Sequence, residues 1–420
     1  MPIPQSKSWT LFQKLLFRLV ASYVFLFCMS SQFLFSSFAE MLWEQLVPPF
    51  AKYILGMEQD LIALANGSGD TTYSYVSLLC YLTVALLMTL IWSVLDRKRP
   101  HYEQALQWLI VLVRYYLFFQ MALYGLAKIF YLQFQPPRFA RLIQAYGDSS
   151  PMGLLWTFMG YSKGYTMFTG FGEFLGGLLL LFRRTRTLGA LLVFGIMFNV
   201  MMLNFCYDVP VKILSTHLVL LAMGLITLDG RRLWNVLVIN RPTEALPLPP
   251  HFSHPRVEKV KNGIKWLALS IGLAAFVYFT YQRLGQFGPQ RSKPALYGLY
   301  EVEQFSRNGE LVPPLTTDSS RWEWMIVEWG KRIDIHAMDG QRSRFESELD
   351  STAQWLAFTP SDDEQATDTL YYSRPDSGQF VLQGVWQTDT LDIRMRIKKK
   401  EDFLLMQRPF SWINESPFNR

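Results

Sequence analysis

The sequence has few of the residues that mark a disulfide-bonded, metal-binding or cofactor-carrying protein. Its 420 residues include three cysteines and five histidines, without a CxxC pair or the histidine and cysteine spacing typical of metal sites. It also lacks a glycine-rich loop for dinucleotides and a pair of haem ligands. We therefore expect no bound metal, and any electron transfer would need a partner protein or a lipid-soluble carrier such as a quinone.

Charge is scarce as well. Charged residues make up 18% of the chain and hydrophobic residues 50%. The net charge of +6 comes mainly from short basic segments between apolar runs, which favours membrane topology over nucleic-acid binding. Because about 20 apolar residues in a helix span a bilayer, the composition predicts a multi-pass membrane protein whose first partner is the lipid bilayer.

Seven apolar runs before residue 285 are long enough to cross a membrane. They lie at about 17–38, 75–95, 105–132, 165–182, 187–205, 211–228 and 264–281, with a long loop at 39–74. The first exceeds the 7–15 apolar residues of a signal peptide, so we interpret it as a retained helix. Lysine and arginine concentrate in alternate loops, notably 97–99, 183–186 and 229–261. This asymmetry predicts a cytoplasmic N-terminus and a C-terminal domain in the periplasm of a bacterium, with the helices in its inner (cytoplasmic) membrane.

The last 130 or so residues have a different pattern, in which short alternating runs are separated by turns. We predict strands at 297–305, 322–328, 332–338, 343–349, 354–359, 369–373, 379–387 and 390–398. Eight consecutive strands favour a closed up-and-down barrel, lipocalin-like in outline. The fold class is thus a helical membrane bundle followed by an all-β barrel. Its domains are 1–104 (two helices and an external loop), 105–228 (a four-helix core), 229–289 (a basic linker and the last helix) and 290–420 (the barrel).

Several polar side chains lie in or beside the apolar runs of the core. Because such groups are costly in a bilayer, they usually face the interior of a bundle and mark a functional site. Lys128 and Glu173 are the candidate catalytic residues. The candidate ligand-binding residues are Tyr124, Asn199, Asn204, Asp208, Lys212 and His217. From the predicted topology, all of these lie in the outer half of the bundle, where Glu173 and Asp208 balance the charges of Lys128 and Lys212.

The core also resembles a known family. The segments LVRYYLFFQMALYGLAKI and GFGEFLGGLLLLFRRTRTLGALLVFGIMFNVMML are similar to the DoxX family of bacterial membrane proteins, in which an arginine and a Gly-x-x-Lys on one helix precede a Glu-x-x-Gly-Gly on the next. The resemblance covers roughly residues 105–228. Since DoxX relatives include subunits linked to thiosulfate:quinone oxidation, it implies a role beside quinones or redox proteins.

The same stretch resembles the HTTM group, which includes vitamin K-dependent γ-carboxylase and whose Tyr-x-x-x-Gly-x-x-Lys pattern supplies a lysine base. Gly125 and Lys128 match this pattern, but the tyrosine is Tyr124, directly before the glycine. Asn199 stands where that group commonly has a histidine.

Three hypotheses about function follow, and the sequence leaves open whether the protein is an enzyme. The first is a redox- or quinone-associated accessory protein or subunit that acts through a buried polar pocket in the outer half of the bundle. The second is a non-enzymatic scaffold or binding protein whose external barrel holds a small apolar ligand or a protein partner. The third is a carboxylase-like enzyme that uses Lys128 as a base.

Overall fold

The computed structural model describes residues 8–31, 36–58, 61–64, 66–244, 255–288, 291–361, 367–408, 410–417 and 419. Residues 245–254, part of the predicted basic linker, lie outside this set. The chain divides into two compact units, Met1–Phe134 with Lys163–Arg283 and Gln135–Ser162 with Leu284–Arg420. Residues 135–162, which fall within the predicted 105–228 core, therefore group with the barrel.

Helices dominate the first unit and strands dominate the second. The helices are α1 (Leu11–Ser30), α2 (Ser36–Tyr53), α3 (Thr72–Leu95), α4 (Glu103–Ile129), α5 (Phe139–Leu142), α6 (Pro151–Tyr161), α7 (Lys163–Leu180), α8 (Arg186–Cys206), α9 (Lys212–Thr227), α10 (Gly230–Leu237), α11 (Pro255–Phe287) and α12 (Leu404–Gln407). The strands are β1 (Gly298–Arg307), β2 (Glu310–Leu311), β3 (Trp322–Val327), β4 (Arg332–Ala337), β5 (Arg342–Asp350), β6 (Trp355–Pro360), β7 (Asp368–Ser373), β8 (Gln379–Trp386) and β9 (Asp389–Lys398).

Five of the described helices are long and apolar enough to cross a membrane. They are α1, α3, α4, α8 and the part of α11 at Asn262–Gln286. A sixth is added if α9 and α10, which are bent by 75° at the break between them, form one span. The predicted fourth span corresponds to α7, which is helical but is not among the five. The total of seven spans therefore stays a prediction.

The predicted loop at 39–74 is wrong in its first part, because residues up to Tyr53 form α2. Ala39, Trp43, Val47 and Ala51 recur every fourth residue and are all buried, since this spacing places them on one face of a helix. That face packs with residues of α3, and the Trp43 indole donates a hydrogen bond to Ser30 Oγ (2.7 Å). The sequence predicts a loop here because Pro48 and Pro49 lie within the segment, and proline is disfavoured inside helices.

The predicted eight-stranded barrel is confirmed. β1 and β3 to β9 pair antiparallel with their neighbours in sequence, and β9 pairs back with β1 to close the sheet, while β2 only extends one edge of β1. Alternate residues point inward, as Leu391, Ile393 and Met395 do in β9. Tyr300 and Phe380 are fully buried at the centre. The interior is therefore filled by the side chains of the barrel itself.

One end of the barrel is closed by aromatic rings. The Trp386 ring lies 5.0 Å from Trp322, 5.3 Å from Phe345 and 5.2 Å from Phe358. Rings at these separations pack edge to face, which contributes beyond the area they bury. A ligand of the barrel would therefore have to approach from the opposite end.

Residues 135–162 pack on the outer surface of the same barrel. Phe139 of α5 is buried with Leu299 of β1 and Ile326 of β3. The Phe139 amide donates a hydrogen bond to Glu328 Oε1 (2.9 Å), and Lys400 Nζ donates one to the Pro137 carbonyl (2.7 Å). The connection between α4 and α7 is thus a structural part of the barrel unit.

Candidate functional site

Lys128 and Glu173 form a buried ion pair between α4 and α7. The lysine Nζ lies 2.7 Å from both carboxylate oxygens of Glu173. The two side chains are 8% and 2% exposed. The Tyr124 ring, one turn earlier on α4, lies with its centroid 5.8 Å from the same Nζ. The structure therefore brings together both candidate catalytic residues and Tyr124.

Two glycines allow this contact. A Cβ atom on Gly125 would lie 2.7 Å from the Gly170 carbonyl oxygen, and one on Gly170 would lie 2.6 Å from Lys128 Cβ. Real Cβ atoms do not approach other atoms so closely, so α4 and α7 reach this separation only because both positions lack a side chain. Small residues serve this purpose at helix contacts in membranes.

The pair is balanced in charge and in hydrogen bonding. An ammonium group and a carboxylate that are both removed from water each carry a large desolvation cost, which only close mutual contact offsets. Here one nitrogen contacts both oxygens. This arrangement favours a role in fixing α4 against α7, since each charged group already has its partner on the other helix.

Asp208 and Lys212 form a second, more exposed pair at the start of α9. Lys212 Nζ lies 3.0 Å from Asp208 Oδ1, and the Asp208 side chain is 85% exposed. Asp70, which precedes α3, accepts hydrogen bonds from the backbone amides of Lys212 (2.7 Å) and Ile213 (2.9 Å). These amides have no partner within a helix, so the carboxylate of Asp70 caps α9.

His217 belongs to a third group, with two residues of α1. Its Nδ1 lies 2.8 Å from the Ile213 carbonyl oxygen, and its Nε2 lies 2.9 Å from the Tyr23 hydroxyl. Because a carbonyl oxygen only accepts, Nδ1 carries the hydrogen, and Nε2 of the neutral ring accepts from Tyr23. The imidazole also stacks on Phe27 with a centroid separation of 3.9 Å.

Tyr23 also lines a groove of about 500 Å³. It runs between α1 and α3, and we call it the Tyr23 groove; its lining residues are Leu19, Val20, Tyr23, Tyr75, Leu78, Leu79 and Leu82. All of them are apolar except for the two tyrosine hydroxyl groups. The groove thus has an almost wholly apolar lining, in which Tyr23 is the residue that also contacts His217.

The two asparagines contribute less to these groups. Asn204 is buried, and its Nδ2 lies 3.5 Å from the Val211 carbonyl oxygen, at the limit of a hydrogen bond. Asn199 lies on the exposed side of α8. The predicted residues are therefore distributed over several places in the bundle, with Lys128, Glu173 and Tyr124 at one, Asp208 and Lys212 at another, and His217 at a third.

Sequence reasoning missed Tyr23 and Asp70. Tyr23 lies in an aromatic-rich apolar run, where nothing distinguishes it from its neighbours. Asp70 lies more than a hundred residues before the helix that it caps, so no local pattern connects the two. Among the described residues, no group of three or more His, Cys, Asp or Glu side chains is arranged to hold a metal ion.

Comparisons with known proteins give one relative. No protein-family model and no solved structure matches the chain. The uncharacterized protein YwoB of Bacillus subtilis (strain 168) is 37% identical to it over an alignment of 132 residues that covers 29% of this chain and 78% of YwoB. At this identity, and with most of the relative covered, the chain belongs to the family of YwoB.

Proposed function

We propose that this chain is an integral protein of the bacterial cytoplasmic membrane, of the DoxX type, with its barrel on the periplasmic side. The helices support this, because their outer surfaces expose many large apolar side chains. On α3, Leu87, Leu90, Ile91 and Val94 are each more than half exposed. Apolar patches of this extent mark a surface that is covered by another apolar phase. The basic residues in alternate loops supply the orientation.

Within this framework, we infer that the protein is a quinone-binding accessory protein or subunit, and that it binds the quinone in the Tyr23 groove. The observation that carries this proposal is the Tyr23–His217 hydrogen bond beside an apolar groove. A quinone has an apolar body and carbonyl oxygens that accept hydrogen bonds. Sites for such molecules are mostly apolar, with a few well-placed polar groups that fix orientation.

Each residue has a distinct part in the proposed binding. The leucines of α1 and α3 contact the hydrocarbon part of the ligand. The Tyr23 hydroxyl has one hydrogen, which it donates to His217 Nε2 in the structure. On binding, the hydroxyl would rotate and donate this hydrogen to a quinone carbonyl oxygen instead. His217 is itself fixed by the Ile213 carbonyl and by the Phe27 ring, so the polar group is held in position before the ligand arrives.

The Lys128–Glu173 pair has a supporting role in this proposal. Its groups contact each other at 2.7 Å, so neither has to bind a ligand to be satisfied. A lysine base, as in the carboxylase-like hypothesis, must contact its substrate, whereas Lys128 Nζ contacts both carboxylate oxygens of Glu173 at 2.7 Å. The geometry therefore favours Tyr23, which lines the groove and is hydrogen-bonded to His217, over Lys128 as the ligand contact.

The test is binding of decylubiquinone to the full-length protein in lipid nanodiscs, with empty nanodiscs as the blank. Loss of one hydrogen bond, about 0.5–1.5 kcal/mol, predicts that Tyr23→Phe weakens binding about threefold to tenfold. Leu82→Trp, which fills the groove, should weaken it further. The control is Tyr73→Phe, the same change on α3 at a residue that does not line the groove.

The proposal fails if the wild-type protein takes up no more decylubiquinone than empty nanodiscs do. It also fails if Tyr23→Phe and Leu82→Trp bind as well as the wild type. Glu173→Gln should leave binding unchanged in protein that remains folded. If only Glu173→Gln lost decylubiquinone binding, the result would indicate that the quinone binds at the Lys128–Glu173 pair.

A further inference from the structure

The end of the barrel opposite the aromatic rings contains a cavity of about 550 Å³, which we call the barrel-end cavity. It lies where β3 turns into β4 and where β5 turns into β6. Ligand sites in proteins typically occupy roughly 300–1,000 Å³, so the volume suits a small molecule. All of its lining residues belong to the barrel unit, and it shares none of them with the Tyr23 groove.

Side chains that point inward make an apolar floor for this cavity. Leu296, Val327, Ile333 and Leu356 line it and are each less than 9% exposed. Leu349, which pairs with Leu356 across β5 and β6, extends the apolar surface toward the rim. Because side chains alternate along a strand, these residues share the inner face of the sheet. The floor therefore offers an apolar surface on which a hydrocarbon chain can lie.

A single lysine, Lys331, lies at the rim of the cavity in the bend before β4. Lys331 precedes Ile333 by two residues, and its carbonyl oxygen accepts a hydrogen bond from the Ser347 amide (2.5 Å). Both residues line the cavity. The lining of the cavity thus combines apolar side chains with a hydroxyl group and, at the rim, an exposed cation.

The acidic residues nearby do not compete strongly for this cation. Glu348 Oε1 lies 3.9 Å from Lys331 Nζ, and the two side chains are 71% and 78% exposed. Exposed pairs of this kind contribute little, because water screens them, so a ligand carboxylate can replace Glu348. Asp350 Oδ1 accepts hydrogen bonds from the Thr352 and Ala353 amides at 2.8 Å each. Its carboxylate therefore stabilises the turn between β5 and β6.

We propose that the barrel-end cavity binds a medium-chain carboxylate, whose hydrocarbon chain lies on the apolar floor and whose carboxylate pairs with Lys331. The packed centre of the barrel excludes a ligand from the interior, so the chain lies across the open end. This site is independent of the proposed quinone site, and either can fail without the other.

The experiment uses the full-length protein in phosphatidylcholine nanodiscs, with empty nanodiscs as the blank. The probe is 11-(dansylamino)undecanoic acid, whose fluorescence rises in apolar surroundings, and its methyl ester is the uncharged comparison. Ser347→Phe fills the cavity and should abolish binding of both. Lys331→Gln should weaken binding of the acid about fivefold, as expected for a partly exposed ion pair, and leave the ester unchanged.

The matched control is Arg332→Gln, which removes the neighbouring positive charge from an exposed position on the outer face of β4. It should bind the acid as the wild type does. The proposal is overturned if the wild type binds no more probe than empty nanodiscs, or if Ser347→Phe binds it equally well. The carboxylate assignment is overturned if Lys331→Gln affects the acid and the ester alike, or if Arg332→Gln weakens the acid as much as Lys331→Gln does.

Discussion

Replacing Glu173 with glutamine tests most directly how the α4–α7 contact is stabilised. In the wild type, Lys128 Nζ lies 2.7 Å from both oxygens of Glu173, and both side chains are at least nine-tenths buried. Glu173→Gln leaves the ammonium group buried without an opposite charge. Breaking a buried pair in this way typically costs about 3–5 kcal/mol. We expect a loss of that size in the free energy of unfolding, or about a hundredfold to several thousandfold in the equilibrium constant.

The double variant Lys128→Met/Glu173→Leu gives the opposite expectation. It removes both charges and fills the space with apolar side chains of similar size. Such replacements are often neutral or stabilising, so we expect the double variant to recover most of the stability that each single change loses. The coupling energy from the double-mutant cycle should therefore be large, because each single change alone leaves one charge without a partner.

The assay is equilibrium unfolding of the full-length protein in mixed micelles, followed by the circular dichroism of the helices. Asp208→Asn serves as a control, because it removes an ion pair with Lys212 in which the aspartate is 85% exposed. Exposed pairs contribute about 0–1 kcal/mol. If Glu173→Gln changes stability no more than Asp208→Asn does, or if the two changes in the pair simply add, the argument for a mutually dependent buried pair is refuted.

Three further predictions follow from other contacts. Asp70→Ala should destabilise the start of α9 by about 1 kcal/mol, the usual cost of losing a helix cap; faster hydrogen exchange of the first two amides of α9 would report it, and Asp70→Asn should show a smaller effect. Burial raises the pKa of the Glu328 carboxyl above its usual value of 4.5, against the opposing effect of the Phe139 amide. The stability that this carboxyl contributes to the barrel unit should thus be complete below pH 4.5 and fall as the pH rises through the raised value. Urea unfolding between pH 4 and 8 should show this slope in the wild type and lose it in Glu328→Gln, whose amide oxygen still accepts the hydrogen bond; an equal slope in both would contradict the assignment. Gly170→Ala should separate α4 from α7 and cost at least about 1–3 kcal/mol, measured by the same micelle unfolding, whereas Gly164→Ala, where an added Cβ meets open space, should cost little.

The barrel could be predicted from the sequence almost strand by strand. Every second residue of a strand points inward and is apolar, as Ile333 and Ile335 are in β4. Turns such as Asp339-Gly340 separate the strands. Both signals are local, so neither depends on distant parts of the chain. The apolar runs of the bundle could be recognised for the same reason, although α2 was missed because it contains two prolines, which are disfavoured inside helices.

The contacts between the polar residues could be predicted only in part. Lys128 and Glu173 were expected near each other because both lie in adjacent apolar runs. The hydrogen bond between Tyr23 and His217, by contrast, joins residues 194 positions apart, and only the packing of α1 beside α9 creates it. Likewise, the sequence indicates a barrel, but whether its interior is hollow or filled depends on how side chains from all strands meet at the centre.

The sequence by itself determined the kind of element at most positions, because helix and strand follow from the spacing of apolar residues and from turn-forming residues. Only the tertiary structure decided which polar groups meet, because hydrogen bonds and ion pairs require atoms within about 3 Å, and such separations depend on the packing of whole helices. Lys128 and Glu173 meet because two glycines let α4 and α7 approach, while Asp208 and His217 lie in other groups. The Tyr23 groove is thus the candidate site, in place of the single charged cluster that the sequence predicts. At this groove an apolar surface and the Tyr23 hydroxyl, which is hydrogen-bonded to His217, occur together.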